Sequence, residues 1–451
     1  MQITHRRPVR TACIAALVLV LLAPLARAEA LPLPDPVTDA DYAPVDGAEA
    51  RLGQLLFYDP ILSGNREVSC ATCHHPAFGT SDGLSLGIGD GGTGLGPARR
   101  ADPDNPPEQR IPRNAPALFN LGAHEFTVLF HDGRIETDPD RPGGLRTPLD
   151  ADMVAGFASL LSAQTMFPVL SADEMAGHYG ENEISTAVRQ GRLTGPGGAW
   201  DLISRRVAAI PAYGKAFARV YPQISAPDQI AFTDISNAIA AFMAFEFRSD
   251  TSPFDAYLRT GQGLDAAQGR GMALFYGTAG CAACHAGKFQ TDHGFHAMAA
   301  PQIGPGKSAR FETHARDEGR MRVTGRAADA YAFRTPSLRN ITRTAPYGHA
   351  GAHRDLGAFL RHHIRADGGA GRFDPKGTVL PDLAVSDFRV MTDPAQQAEI
   401  TSARTIEGPV LSEAEIADLM AFLGALEDPG ALKGRLGIPA AVPSGLPVAR
   451  P

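Results

Sequence analysis

Two pentapeptides carry the sharpest chemical signal in this chain: Cys70-Ala71-Thr72-Cys73-His74 and Cys281-Ala282-Ala283-Cys284-His285. Cys-x-x-Cys-His is the attachment signal of c-type haem. On one helical turn the two thiols reach the two vinyl groups of a single porphyrin, and the histidine that follows turns to the iron as proximal ligand. A dithiol redox pair, or half of a zinc site, is the competing reading of one copy. Both copies carry the histidine, and no further cysteine pair exists to complete a zinc site. The fifth cysteine, Cys13, lies far upstream in an apolar run, so no thiol remains for a structural disulfide.

What fills the second axial position decides between electron transfer and chemistry at the metal. Beyond the second motif lie His349, His353, His362 and His363. Leu356, Phe359, Leu360 and His363 fall at i, i+3, i+4 and i+7, which turns His363 inward and His362 toward the helix edge. On spacing alone His363 is either a ligand or a hydrogen-bonded core histidine. The first motif has no comparable partner. Residues 87–96 are glycine-rich and hold no His, Met or Lys, and His75 adjoins the proximal residue too closely to cross the ring. The first iron is therefore expected to be open on one side. An open haem that meets peroxide needs one group to move a proton between the two oxygens and another to orient them. Gln164 and Glu174, flanking Phe167-Pro168, have the right side chains, although solvated loop residues look the same in sequence.

The elements that position these residues read as helices. Leu52, Leu55, Leu56 and Ile61 precede the first motif in helical register, Ala266 to Phe275 leads into the second, and Ile230 to Phe247 is a long apolar helix. Ser412 caps a last helix that runs to Leu426. Glycine-dense and then proline-dense sequence from Gly83 to Pro116 reads as a loop over a cofactor edge. The expected fold class is all-α: two cytochrome c-type haem domains with long irregular loops around the cofactors. The 211 residues separating Cys70 from Cys281 exceed the needs of one haem domain. The expected boundaries are an irregular arm over 29–47, a first haem domain over 48–251, a second over 252–430 and an unstructured tail over 431–451.

Arg6, Arg7 and Arg10 precede an apolar run from Thr11 to Leu25, and Ala26-Arg27-Ala28 offers a cleavage site. Residues 1–28 thus read as a signal peptide, with the trimmed protein exported to the periplasm and not inserted in the membrane. The formal charge of −7 becomes −11 once the four arginines of that segment are gone. Such an acidic chain is a poor nucleic-acid binder and suits a basic redox partner.

Seven islands stand in a telling order. They are the first haem motif, Asn114-Ala115-Pro116, Phe130-His131-Asp132-Gly133-Arg134, and Gln164 with Pro168 and Glu174-Met175. The second haem motif, Thr335-Pro336-Ser337-Leu338-Arg339-Asn340 and Ala345-Pro346-Tyr347-Gly348-His349-Ala350-Gly351 follow. From about Leu52 to Leu426 this order resembles the bacterial di-haem cytochrome c peroxidase family, including its MauG-like branch.

The resemblance implies two covalently bound haems c, with hydrogen peroxide reduced at the haem on His74 and electrons arriving through the haem on His285. Glu174 falls on the family's acid–base position and Gln164 on its distal glutamine. It also implies a calcium ion between the haems, held by the Asn114 side chain and the carbonyls of Thr344 and Pro346, the hard oxygen donors calcium prefers. The electron source is a small redox protein (cytochrome c or cupredoxin) or, as in the MauG-like branch, an oxidised protein side chain. A homodimer is compatible with the resemblance.

Three departures shape the expectation. The histidine that other members carry in the loop after the first motif is missing, a MauG-like trait that leaves the site open without prior reduction. The second haem's distal position, Met in many peroxidases and Tyr in MauG, falls on His363, the residue that periodicity also selects. A His/His haem has a lower potential than a His/Met haem. The family's inter-haem tryptophan is replaced by His131, either a relay or a space filler, and the single tryptophan, Trp200, lies elsewhere. A di-haem electron carrier without peroxide turnover is the alternative, and it requires both irons to be six-coordinate.

Overall fold

Asp46 opens the first helix by accepting hydrogen bonds from the amides of Ala48 and Glu49 at 2.8 and 2.9 Å, which satisfies donors that a helix start leaves free. The computed structural model describes residues 31–307, 312, 314–364, 373–406 and 408–451, so the expected signal peptide lies outside it. In the first half the helices are α1 (Gly47–Tyr58), α2 (Cys70–Cys73), α3 (Leu160–Thr165), α4 (Glu183–Arg189), α5 (Ala199–Ala208), α6 (Pro211–Val220) and α7 (Phe232–Glu246). The second half has α8 (Pro253–Thr260), α9 (Ala266–Tyr276), α10 (Met321–Thr324), α11 (Leu356–His363), α12 (Pro394–Ser402), α13 (Glu413–Gly424) and α14 (Pro429–Lys433).

The same helix pair recurs in both halves. The helix upstream of each haem motif crosses a late helix of its own half at a glycine. A Cβ on Gly53 of α1 would meet the Ala238 carbonyl of α7, and one on Gly271 of α9 would meet the Asp418 carbonyl of α13. Close backbone approach of this kind needs glycine. Around α1 and α7 the fully buried Leu56, Phe57, Tyr58, Phe242 and Phe247 form the first core. Phe254, Phe275, Tyr276 and Phe422 form the second around α9 and α13.

The expectation of an all-α fold needs correction, because the molecule is helix-rich but carries three small sheets among the described residues. They are β1 (Gly92–Thr93) with β2 (Arg100–Ala101); β3 (Val128–Leu129), β4 (Ile135–Thr137) and β5 (Leu145–Arg146); and β6 (Phe295–Ala297) with β7 (Ala332–Arg334), all antiparallel. Each lies in a long loop whose backbone groups have no helical partners, and pairing two or three residues satisfies them.

Both chain ends strap the halves together. In the arm, the Leu31 amide donates to the Tyr276 carbonyl at 2.7 Å, and Tyr42 bonds Asn120 at 2.8 Å while its ring meets Phe289 edge-on. Residues 431–451, expected to be unstructured, are ordered against the first core. Leu436, Ile438, Val442 and Leu446 pack on it, and the buried Glu246 carboxylate of α7 accepts the amides of Arg435, Leu436 and Gly437 at 2.9, 2.6 and 2.8 Å. Beyond α14 this segment packs as an irregular chain with scattered apolar anchors, which has no helical or strand period to read. Within the second half, Arg339 and Asp255 form a fully buried ion pair at 2.6 Å. No helix among the described residues is long and apolar enough to cross a membrane.

Candidate active site

The first haem motif sits on α2, where Ser69 donates its amide to the Thr72 hydroxyl at 3.0 Å and His74 donates its amide to the Cys70 carbonyl at 2.9 Å. The His74 Nδ1–H donates to the Thr80 carbonyl at 2.9 Å. That bond fixes the tautomer and leaves Nε2 free as a ligand atom. Burial pushes the His74 pKa down, so the ring is neutral, as a metal ligand must be.

Cys70, Cys73 and His74 line a largely apolar cavity with about 1190 Å³ of empty space, open solvent included, and Gln164, Glu174 and His131 line it too. The structure thus brings together residues about a hundred positions apart in sequence. A cavity of this size, with two thiols and a neutral imidazole on one wall, fits a covalently attached haem. The buried Gln164 Oε1 has no hydrogen-bond partner, so a polar atom in that space waits for a ligand. Gln164 ends α3, which rests on Trp200: the indole donates to the Met166 carbonyl at 2.9 Å, and the ring lies in the first core.

Glu174 stands in a π-helical turn over Ala172–Ala176. Turns of this type concentrate at functional sites because they re-aim one side chain. The glycine-rich loop lies directly on this turn. The Asp90 amide donates to the Glu174 carbonyl at 3.1 Å, and a Cβ on Gly89 would collide with the Asp173 and Glu174 carbonyls. Burial raises the Glu174 pKa above the usual carboxylate range, against the opposing pull of Lys307 and Arg134. Lys307 and Arg134 line the same cavity. Neither was assigned a role from sequence: Arg134 closes a recognised island, whereas Lys307 lies in a Gly/Pro-rich loop with no pattern to mark it.

His131 sits between the two halves. Its Nε2 donates to the Asn114 carbonyl at 3.1 Å, and its own carbonyl accepts the Arg334 amide of β7 at 2.8 Å. Burial and the Arg113 guanidinium hold its pKa down to about 3, so the ring is neutral. Arg113 pins this seam, bonding Asp317 at 2.6 and 2.8 Å and Asp132 at 2.7 Å.

At the second motif one 3-10 turn (Cys281–Ala283) carries Cys281 and is capped by Cys284, and His285 donates Nδ1–H to the Gln290 carbonyl at 3.2 Å. His363, at the end of α11, faces it with ring centroids 6.1 Å apart. Two imidazoles bound through nitrogen to opposite sides of one metal at about 2.0–2.1 Å have centroids about 6 Å apart. The spacing therefore fits a shared iron. His362, expected at the helix edge, is buried instead, with its ring 5.0 Å from that of His353. Its helix is covered by the His353 loop on that side, so burial there extends beyond the face that the apolar period marks.

Of the residues suggested for calcium, Asn114 and Thr344 each touch the opposite half. Asn114 donates Nδ2–H to the Leu84 carbonyl at 2.8 Å, and a Cβ on Gly351 would come within 3.0 Å of that nitrogen. Thr344 donates its hydroxyl to the Ile341 carbonyl at 3.2 Å, and its methyl lies against the Gly79 turn.

The family model of the di-haem cytochrome c peroxidases matches residues 47–263. The chain is 31% identical over 336 residues to the methylamine utilization protein MauG of Methylorubrum extorquens, covering 74% of this chain and 73% of that one. It is 30% identical over 349 residues to the cytochrome c551 peroxidase of Pseudomonas aeruginosa, covering 74% and 80%. Among solved structures, a MauG-like protein associated with microbial copper homeostasis superposes with a TM-score of 0.58 at 25% identity, covering 91% of this chain and 97% of that one. The di-haem peroxidase BthA of Burkholderia thailandensis, at 20% identity and a TM-score of 0.58, covers 94% and 97% and shares the fold. Two attachment motifs in two matching helical frames, and relatives aligned over some three quarters of their length, lead to one conclusion: the chain belongs to the di-haem cytochrome c peroxidase family.

Proposed function

We propose that this protein is an exported, periplasmic enzyme that reduces hydrogen peroxide in the cavity shared by His74, Gln164 and Glu174, and draws its electrons through the second haem site. The observation that carries the reading is a cavity lined both by the Cys70–His74 motif and by Gln164, whose buried Oε1 has no hydrogen-bond partner. A haem c bound there would supply the redox-active iron.

The protein residues do the rest. Thr80 orients His74 through Nδ1. Gln164 orients the peroxide within the cavity. Glu174 takes a proton from one peroxide oxygen and returns it to the other, which leaves as water as the O–O bond breaks, and two electrons with two further protons turn the remaining oxygen into a second water. The raised pKa of Glu174 suits both halves of its proton transfer. His285 and His363 would hold the second haem, which would supply the route for electrons. With a pKa near 3, His131 carries no imidazolium proton at neutral pH and serves as packing between the two sites. A calcium ion in the seam belongs to the same proposal, with Asn114, Thr344 and Pro346 as oxygen donors. Chelation should then slow peroxide turnover, with recovery on adding calcium back.

The absence of His, Met and Lys from residues 87–96 supports the MauG-like form of the reaction, in which the first site is open at rest. The electron donor is then a protein side chain; a cytochrome c or cupredoxin is the other source, and sedimentation tests for a homodimer. The deciding experiment adds hydrogen peroxide to the fully oxidised protein and follows the haem absorption from milliseconds to seconds. An immediate change is expected. Reaction only after one-electron reduction would mean a hidden ligand on the first iron, and no reaction in either state would leave an electron carrier.

A further inference from the structure

The first cavity holds two cations that proton transfer to peroxide does not use. Arg113, the third cation of the lining, is neutralised by Asp317 and Asp132. Arg134 has only a share in Asp132, at 3.7 Å, and otherwise lies over the Phe130 ring at 4.1 Å. Lys307 makes no hydrogen bond or ion pair among the described residues, although it is only partly accessible. Burial and the Arg134 charge push its ammonium down to about 8. The remaining carboxylate in the lining, Glu174, is itself pushed toward its neutral form by burial. Two cations in a mostly apolar space thus face less than their complement of negative charge, a costly arrangement unless an anion completes it.

The group expected in this cavity brings two carboxylates on its propionate arms. We propose that Lys307 and Arg134 form a carboxylate clamp that would hold a propionate of the first haem, so that charge as well as Cys70, Cys73 and His74 fixes it. Arg134 supplies a planar, bidentate donor and Lys307 a point charge. The inference rests on a haem filling this cavity and not on peroxide turnover. The clamp is a positioning device with an electrostatic consequence. A cation beside the haem disfavours the extra positive charge of the ferric state, and removing it should lower the reduction potential.

The test uses the holoprotein without peroxide. Lys307→Gln, Lys307→Arg and Arg134→Gln are compared after haem content per chain shows two haems attached. At fixed applied potential and pH 7, Lys307→Gln and Arg134→Gln should each raise the oxidised-to-reduced ratio of the first haem about tenfold, a 59 mV fall for a one-electron couple. Lys307→Arg should restore most of it. If Lys307→Gln fails to fold, Arg134→Gln carries the test alone. An unchanged potential in either glutamine variant would overturn the clamp. A free carboxylate is the other source of the same chemistry: a saturable spectral response of the wild type to acetate, lost in Lys307→Gln, would show that the pair is vacant in the holoprotein and would also overturn it.

Discussion

His285 and His363 face each other with ring centroids 6.1 Å apart and planes inclined by 41°. Each approaches from its own element, one from the end of the second haem motif and one from the end of α11. If both bind one iron, His363→Ala leaves the second haem five-coordinate and high-spin in the ferric state. His362→Ala should leave it low-spin, because His362 packs on His353 instead. His363→Met should keep low spin and raise the potential, since a thioether ligand favours the ferrous state. Low-temperature electron paramagnetic resonance and a redox titration read all three, and a high-spin signal from His362→Ala would transfer the ligand role to that residue.

Glu174 is the expected proton carrier. Glu174→Gln should slow peroxide reduction by about 10²–10⁴-fold with both haems still attached. The pH profile gives an independent check. Burial raises the folded pKa, so the proton-accepting carboxylate form is lost at a higher pH than for an ordinary glutamate. The wild-type rate should therefore fall as pH is lowered through that raised pKa, and the Glu174→Gln rate should be flat over the same window.

The parts of the site visible in sequence are those that one short motif or one helix encodes. The Cys-x-x-Cys-His pentapeptides are local, and His363 follows from the period of Leu356, Phe359 and Leu360. Gln164 and Glu174 had the right chemistry but no spacing to single them out, because their approach to His74 depends on a π-helical turn and on a loop a hundred residues away; only the family's motif order marked them. Lys307 lay in a loop without period, and its place in the cavity is a tertiary fact. The three sheets pair two or three residues each, too few for alternation to register. The tail reads as unstructured because its order comes from Glu246 and Asp59, carboxylates far away in the chain.

The glycine-rich loop makes a sharper claim than its composition. Of the stretch from Gly83 to Pro116 expected over a cofactor edge, residues 111–116 line the cavity, and the glycine-rich part covers the backbone of the turn that carries Glu174. Gly89→Ala places a methyl against two carbonyls that cannot rotate away. The expected cost is about 1–3 kcal/mol of stability, together with a slower peroxide reaction at unchanged haem content. Gly269→Ala is the control: its Cβ meets nothing within 4 Å on α9, and alanine there should stabilise by up to about 1 kcal/mol. Urea midpoints and stopped-flow rates of the two variants separate packing from function.

Arg339 and Asp255 are joined at 2.6 Å with both side chains fully buried. Arg339 also donates to the Lys288 carbonyl, which ties the second haem loop to α8. Asp255→Ala strands a buried guanidinium and should cost about 3–5 kcal/mol. Replacing both residues by apolar ones of similar volume should cost much less, because the stranded charge is then gone. Equal losses in the single and double variants would mean that packing, not charge, holds this position.

The tail supplies the last prediction. Glu246 is buried on α7, and its two oxygens accept three amides from residues 435–437, while Ser444 donates its hydroxyl to Asp59 at 2.6 Å. Deleting residues 435–451 leaves both carboxylates without these donors and strips Leu436, Ile438 and Val442 from the first core. Each uncompensated group costs about 1–3 kcal/mol or more when charged, so the truncated holoprotein should unfold at clearly lower urea, and a Glu246→Leu exchange should recover part of the loss. In the full chain the same exchange should destabilise, because it orphans the three amides. This reversal of sign between the two backgrounds is a coupling of about 0.5–3 kcal/mol between side chain and tail. Additive costs would show instead that the tail rests on the first half without being held by Glu246.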